Sequence, residues 1–260
     1  MSGHASECVI HTLSEYLGHL RDLKLTDQPQ AHVRWWFRGQ PDQRYQLVPG
    51  VYRAEFPTAD ESARLTLEQH LYQDFRVLSG GLLPSDVSDV GLYFLQQHYG
   101  LPTRLLDWTT NPLAALYFAV NTGPDTVGAV DLMDVFRLAP TQGAEAEFQG
   151  VVTSAHPRLR EWLRPVIDGG NPADFAGYVV PIRPVHFDTR VRLQRGCFTL
   201  HVPDHPRLTR RENDSLRRLT VPPDAKAAIY QELKLSGVDE FSIFGDLENL
   251  AVSLRSAYRL

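Results

Sequence analysis

Three short runs hold most of the side chains that could bind a ligand or react. In "WWFRGQ", Arg38 follows Trp35, Trp36 and Phe37 and precedes Gly39. A strand ending in Arg-Gly can aim a fixed cation into a cleft, and the glycine lets a ligand approach the backbone or permits positive φ. The plainer reading is a surface arginine stacked on Trp35 or Trp36 before an ordinary turn. "QQHYGLPTRLLDWTTNP" is the densest polar and aromatic run, with His98, Tyr99, Arg104, Asp107, Trp108, Thr109, Thr110 and Asn111 in one passage. Asp107 lies among Leu105, Leu106 and Trp108 and is expected to need a partner, because a lone buried carboxylate is costly. Arg104 or Arg38 could supply it. In "RLQRGCFTLH", Gln194 precedes Arg195 and Gly196; its neutral amide can hydrogen-bond a ribose hydroxyl or a carboxamide. The plainer readings are a structural Arg–Asp pair with a helix cap for the second run and a glycine bulge on an edge strand for the third.

Other chemistries lack their residues. There is no Gly-x-Ser-x-Gly elbow, no Walker-type phosphate loop and no Gly-x-Gly-x-x-Gly fingerprint. Cys8 and Cys197 make neither a disulfide framework nor a cysteine zinc site. His4, His11, His19 and His32 lack tight ligand spacing, so no metal is expected. The chain has 260 residues and a net charge of -5, which argues against wholesale nucleic-acid coating but allows a local basic groove. Lys24, Lys226 and Lys234 are its only lysines, so the positive charge is nearly all arginine. No run is long and apolar enough to span a bilayer, and no signal peptide is read at the start. A reducing cytoplasm, and no membrane partner, is the expectation.

Periodicity predicts the elements that must position these runs. A short amphipathic helix is read over 12–23, and "VRWWFRG" is aromatic enough for a strand ending at Gly39. "QLVPGVYR" reads as a second extended segment. Thr58 and Glu61 have capping-box spacing before a helix whose stripe is Leu67, Leu71, Phe75 and Leu78. "VGLYFLQQHYG" reads as a helix, "TRLLDW" as a strand, and "NPLAALYFAV" as a helix with Asn111 at N-cap and Pro112 at its first position. "GAVDLMDVFRL", "GYVVPIRPVHF" and "CFTLHV" read as strands. Helices are expected in "HPRLREWLRPV", "PPDAKAAIYQELKLSGV" and "GDLENLAVSLRS". The economical architecture is one α+β domain over 1–260, with a mixed or antiparallel split sheet flanked by helices. Its motif-bearing core is 33–137, its variable region 141–177 and its C-terminal part 178–260.

Together these runs resemble the FRG domain, named for its Phe-Arg-Gly motif. The matching residues are Phe37-Arg38-Gly39, "QHYGLPTRLLDWTTNPLAALYFA", "RLQRGCFTLH" and "FSIFGDLENLA". They run from about Val33 to Leu254, with the variable region fitting least. A more distant similarity is to ADP-ribosyltransferases, which hold NAD in a cleft between two small sheets. Phe37-Arg38-Gly39 looks like their first motif. "LLDWTTNPLAALYF" looks like their second, with Thr109 at the strand end and Tyr117 on the helix. Gln194 stands where their third motif carries a ribose-orienting glutamate, a departure that removes a negative charge.

The resemblance implies NAD as substrate and cleavage of its nicotinamide–ribose bond, by ADP-ribosyl transfer or hydrolysis. It implies a protein or nucleic-acid acceptor and a bacterial toxin or phage-defence setting. Arg38 would bind the ribose or diphosphate, and Tyr117 or Trp108 would stack on nicotinamide. Gln194 would orient the ribose hydroxyls, and Asp107 or Glu248 could contribute a carboxylate. Arg104 and Asp107 would form a supporting pair; His98 and Tyr99 would line the rim, beside Phe37, Gly39, Thr109 and Asn111. The competing readings are a non-catalytic nucleotide- or RNA-binding module and a nucleic-acid hydrolase. For the former, Arg160, Arg164, Arg190, Arg192, Arg195, Arg207, Arg210, Arg211, Arg217 and Arg218 would form a basic rim.

Overall fold

The computed structural model describes residues 8–25, 34–53, 55–58, 60–83, 86–138, 151–170, 179–185, 189–201, 206–209 and 215–259. The chain opens with β1 (Cys8–Val9) and α1 (Leu13–Asp22), followed by β2 (Trp35–Gln40). Next come α2 (Glu61–Leu78), α3 (Asp89–His98), β3 (Leu105–Thr109), α4 (Pro112–Val120) and β4 (Gly128–Asp134). Then follow β5 (Val152–Thr153), α5 (Pro157–Ile167), β6 (Val180–Arg183), α6 (Thr189–Leu193) and β7 (Gly196–Leu200). The last elements are β8 (Leu216–Val221), α7 (Pro223–Leu235), α8 (Glu240–Phe244) and α9 (Leu247–Tyr258).

The strands form one α+β mixed sheet in the order β1-β8-β4-β2-β3-β7-β6-β5. β1–β8 and β5–β6 pair in parallel, and the other neighbours pair antiparallel. β2 and β4 are paired along six residues, from Trp35↔Asp134 to Gln40↔Ala129. β2 and β3 share a single pair, Phe37↔Thr109. The sheet is therefore two half-sheets joined at one point, and β2 and β3 part from Arg38 onward.

Side-chain alternation assigns the faces. Trp35 and Phe37 join Val130, Leu132, Leu219 and Val221 in a core under α1, α4 and α7. On the same face, Leu105, Phe198, Leu200, Val180 and Ile182 form a second core under α2, α3 and α5. The division between these cores falls between β2 and β3. Trp36, Leu106, Trp108, Met133 and Cys197 occupy the other face, covered by non-helical chain that includes Leu47, Val179 and Leu208.

Helix α4 presses hard on the first half-sheet. A Cβ built on Gly39 would lie 1.7 Å from the Ala115 carbonyl oxygen, and one on Gly128 would lie 2.4 Å from that of Ala119. No side chain fits at either place, so these glycines fix the helix–sheet distance. The helix itself begins as expected: Asn111 accepts from the Leu113 N–H at 3.1 Å, and Pro112 occupies the first turn.

Several expectations need correction. Asp60, not Thr58, caps α2, accepting from the Ala63 N–H at 2.8 Å. Its buried face carries Glu68 and Tyr72, whereas Leu78 is exposed; a buried salt bridge, described below, turned the helix. "QLVPGVYR" holds a lone bridge at Leu47 and a 3-10 turn over Gly50–Tyr52 rather than a strand. The sequence reading missed β8, which lies between β1 and β4 inside the sheet. Its residues Arg217 and Arg218 disguise the strand: Arg217 is exposed, and Arg218 pairs with Asp131 on β4. Residues 139–150 and 171–178, within or beside the variable region, lie outside the described residues, as do His4, His32, Arg210 and Arg211.

Candidate functional site

β3 is buried on both faces except at its centre, where Asp107 is the exposed residue. Its side chain is 53% exposed although Leu106 and Trp108 on either side are buried. The expectation of a buried aspartate among apolar neighbours is thus corrected. Those neighbours point to the opposite face, and Asp107 looks into the seam between the two cores.

Arg38 lies where β2 and β3 part. Its Nη1 donates to the Asp107 main-chain oxygen at 2.7 Å and stands 3.8 Å from Oδ2. The Arg38 side chain is 17% exposed. Its Nε is buried and has no hydrogen-bond partner among the described residues. Burial lowers the pKa of this guanidinium below its ordinary value; Asp107 opposes the fall, and the nearby cation Arg53 adds to it. An arginine remains charged under such a pull, so the fold holds a cation in the seam with its buried Nε donor unused. Asp131, opposite Arg38 on β4, also favours its charged form, though less than Asp107 does. It takes both a 2.8 Å and a 2.7 Å bond from Arg218 and a 3.1 Å bond from Gln40.

Gln97, near the end of α3, donates from Nε2 to Asp107 Oδ2 at 2.8 Å and accepts from the Thr103 hydroxyl. His98 and Tyr99 follow it directly; their rings meet edge to face, and Tyr99 is 62% exposed. Sequence reading passed over Gln97 and Arg53. The doubled glutamine in "QQHYG" was a signal for the first; nothing local marked the second.

At the end of β3, Thr109 ties the third run to the second. Its hydroxyl donates to the Gln194 main-chain oxygen and accepts from the Asn111 N–H at 2.8 Å. The Thr110 N–H donates to the Arg195 oxygen at 3.1 Å. Gln194 lies between α6 and β7, just before Arg195, whose φ of 48° makes the turn. The Gln194 Nε2 is buried and has no partner among the described residues. β2, β3 and β7 are neighbours in the sheet, so the three runs meet there.

Other expected members lie elsewhere. Arg104 does not pair with Asp107. Its Nε bonds Glu68 at 2.6 Å, its Nη2 bonds Glu61 at 3.1 Å, and its Nη1 bonds the Tyr52 hydroxyl at 3.1 Å. The Tyr93 hydroxyl donates to Glu68 at 2.6 Å and accepts from the Arg104 N–H. Burial and Glu68 together raise the Tyr93 pKa. Tyr117 is enclosed by Phe118, Tyr230 and Phe244, and the buried indole N–H of Trp108 donates to Thr199 at 3.0 Å. Neither ring is open for stacking. Phe37 and Gly39 lie beneath α4, so Gly39 receives a helix backbone rather than a ligand. Glu248 is exposed on α9.

Three arginines of the expected basic rim are paired within the fold: Arg160 with Asp89 and Asp168, Arg164 with Asp168, Arg218 with Asp131. Among the described residues no cluster of three or more His, Cys, Asp or Glu could hold a metal ion. No helix among them is long and apolar enough to cross a membrane.

No curated protein and no solved structure matches the chain. Residues 33–126, the segment that carries Arg38, Gln97, Asp107 and Thr109, match the family model of the FRG domain, which supports the family read from the motifs.

Proposed function

We propose that the seam between the two half-sheets binds NAD and cleaves its nicotinamide–ribose bond, by ADP-ribosyl transfer or by hydrolysis. The observation that carries this reading is the pairing of Arg38 with an exposed Asp107 at the fork of β2 and β3. The adjacency of β2, β3 and β7 supports it, since the three runs that resemble transferase motifs then border one seam.

In this reading Arg38 binds the diphosphate or ribose oxygens through the guanidinium N–H groups that its bond to the Asp107 main chain leaves free. A guanidinium suits such oxygens because its planar fork can bond two at once. The Gln194 amide donates to a ribose hydroxyl, held in place by the Thr109 bond to its main chain. The bond broken joins ribose carbon to the ring nitrogen of nicotinamide. Its electron pair leaves with that nitrogen and neutralises the ring, while positive charge develops on the ribose. Gln194 can orient the ribose but cannot neutralise that charge. Asp107, the exposed carboxylate at the fork, is the described group positioned to do so. Water or an acceptor hydroxyl, amine or base nitrogen then completes the bond and gives up a proton. Tyr99 takes the aromatic contact first assigned to Tyr117 or Trp108, because those two are enclosed.

Calorimetric titration of NAD into the native chain and Arg38→Ala tests the binding step. At least a tenfold loss of affinity in a folded variant is expected, since a bond to a charged group contributes ~1.5–3 kcal/mol. Equal affinity removes Arg38 from the site. Incubation with isotope-labelled NAD, reading free nicotinamide, labelled protein and labelled nucleic acid separately, tests the chemistry. Binding without product in any channel leaves a nucleotide-binding module, the reading that a glutamine at position 194 favours. Activity abolished by a chelator would instead support a nucleic-acid hydrolase.

A further inference from the structure

Helix α9 has its amphipathic character inverted. At 100° per residue, Leu247, Leu250, Ala251, Leu254 and Tyr258 share a wedge roughly 100° wide. Asn249, Ser253 and Ser256 lie on the opposite side. A helix of a lone globular chain normally turns its apolar stripe inward. Here the polar side faces the protein: the Ser253 hydroxyl accepts from the Phe241 N–H at 3.1 Å, and Ser256 accepts from Lys234. The apolar side faces water, with Leu247 81%, Leu254 50% and Tyr258 75% exposed. No side chain of α9 is fully buried. The helix is nonetheless well fixed, with Asp246 capping it through the Asn249 N–H at 2.8 Å and Gly245 making the turn from α8 at φ 71°. A contiguous apolar stripe held rigidly in water marks an interaction surface.

The charges beside the stripe identify its occupant. Glu248 and Arg255 lie along one flank, the acid near the start of the helix and the base near its end. We propose that α9 is the contact between two copies of this chain, packed antiparallel about a two-fold axis between Val252 and Ser253. In that register Leu247 meets Tyr258 of the second copy, and Ala251 meets its Leu254. A two-fold axis perpendicular to the helices keeps both flanks on one side. Glu248 then faces Arg255 of the second copy, twice over. A parallel two-fold pair would turn the two charged flanks to opposite sides of the contact and leave Glu248 without an arginine to face. The interface is isologous and closes at two chains. This inference does not depend on what the seam binds.

One helix pair lies at the low end of interface sizes, so half-dissociation is expected at roughly 1–100 µM. Sedimentation velocity across that range should show the native chain passing from monomer to dimer. Leu254→Glu should stay monomeric with an unchanged circular-dichroism melt, because Leu254 borders solvent in the single chain; Leu247→Glu provides the same test at a second site. Glu248→Arg should weaken association at least tenfold at low salt, and adding Arg255→Glu should recover part of it. A native chain that is monomeric throughout overturns the proposal, as does a dimer that survives both leucine substitutions. Failure of the charge swap to recover association overturns the antiparallel register.

Discussion

Arg104 and Asp107 stand three residues apart in "TRLLDW", yet they belong to opposite kinds of polar cluster. Around Arg104 every charge is answered: Glu68 is fully buried and accepts from both Arg104 and Tyr93, while the partly exposed Glu61 and Tyr52 complete the guanidinium. Around Asp107 the carboxylate is half in water, its cation stands 3.8 Å away, and Arg38 keeps an unused donor. A closed network fastens α2, α3 and the start of β3 to one another. An open one retains capacity for something else. Similar residue types thus do opposite work, and completeness of hydrogen bonding separates them.

The comparison breaks most visibly at Glu68. Glu68→Ala leaves a buried guanidinium and a buried phenol without their acceptor, for an expected loss of about 3–5 kcal/mol. At ~2–4 °C per kcal/mol for a chain of this size, calorimetry should show the melting temperature falling by ~6–20 °C. A loss below about 1 kcal/mol would mean that the closed cluster is not a structural fastening.

The platform beneath both clusters comes next. Gly39→Ala must push α4 off β2, since its Cβ would meet the Ala115 oxygen at 1.7 Å. Overpacking of this kind costs about 1–3 kcal/mol or more. Chemical denaturation should show a lower midpoint, and NAD affinity measured on the fraction still folded should change with it if α4 sets the seam. An unaltered midpoint would mean that the helix yields freely.

Arg38→Ala should separate binding from folding. Removing its charge-assisted bond to the Asp107 main-chain oxygen should shift stability by ~1.5–3 kcal/mol, less than Glu68→Ala, against the tenfold or greater loss of NAD affinity. The smallest structural effect belongs to Asp107→Asn. Its ion pair is half exposed and long, so stability should move by ~1 kcal/mol or less, while release of nicotinamide from labelled NAD should fall. If Asp107→Asn destabilises as much as Glu68→Ala, the open cluster is a fastening too and the distinction fails.

Much of the local structure was legible. Aromatic and β-branched runs placed β2 and β3, and strand alternation puts Trp35 and Phe37 in one core and Trp36 in the other. Asn111 and Pro112 marked the start of α4 because a side-chain acceptor and a fixed φ have local uses. The gathering of Arg38, Thr109 and Gln194 was anticipated only through the family resemblance, since nothing local pairs residues so far apart. β8 was illegible because Arg218 is a poor strand marker unless a carboxylate on the neighbouring strand neutralises it, as Asp131 does.

By itself, the sequence determined where β2, β3 and most of the helices lie and which face of β2 each aromatic takes. These follow from backbone periodicity and capping, which act over a few residues. Only the tertiary structure decided that Arg38 pairs with Asp107 while Arg104 pairs with Glu68, that Tyr117 and Trp108 are closed to ligand, and that Gly39 accommodates a helix. Those outcomes depend on where β2 and β3 part and how closely α4 lies on the sheet. That spacing is fixed by contacts between segments dozens of residues apart, which no local pattern encodes.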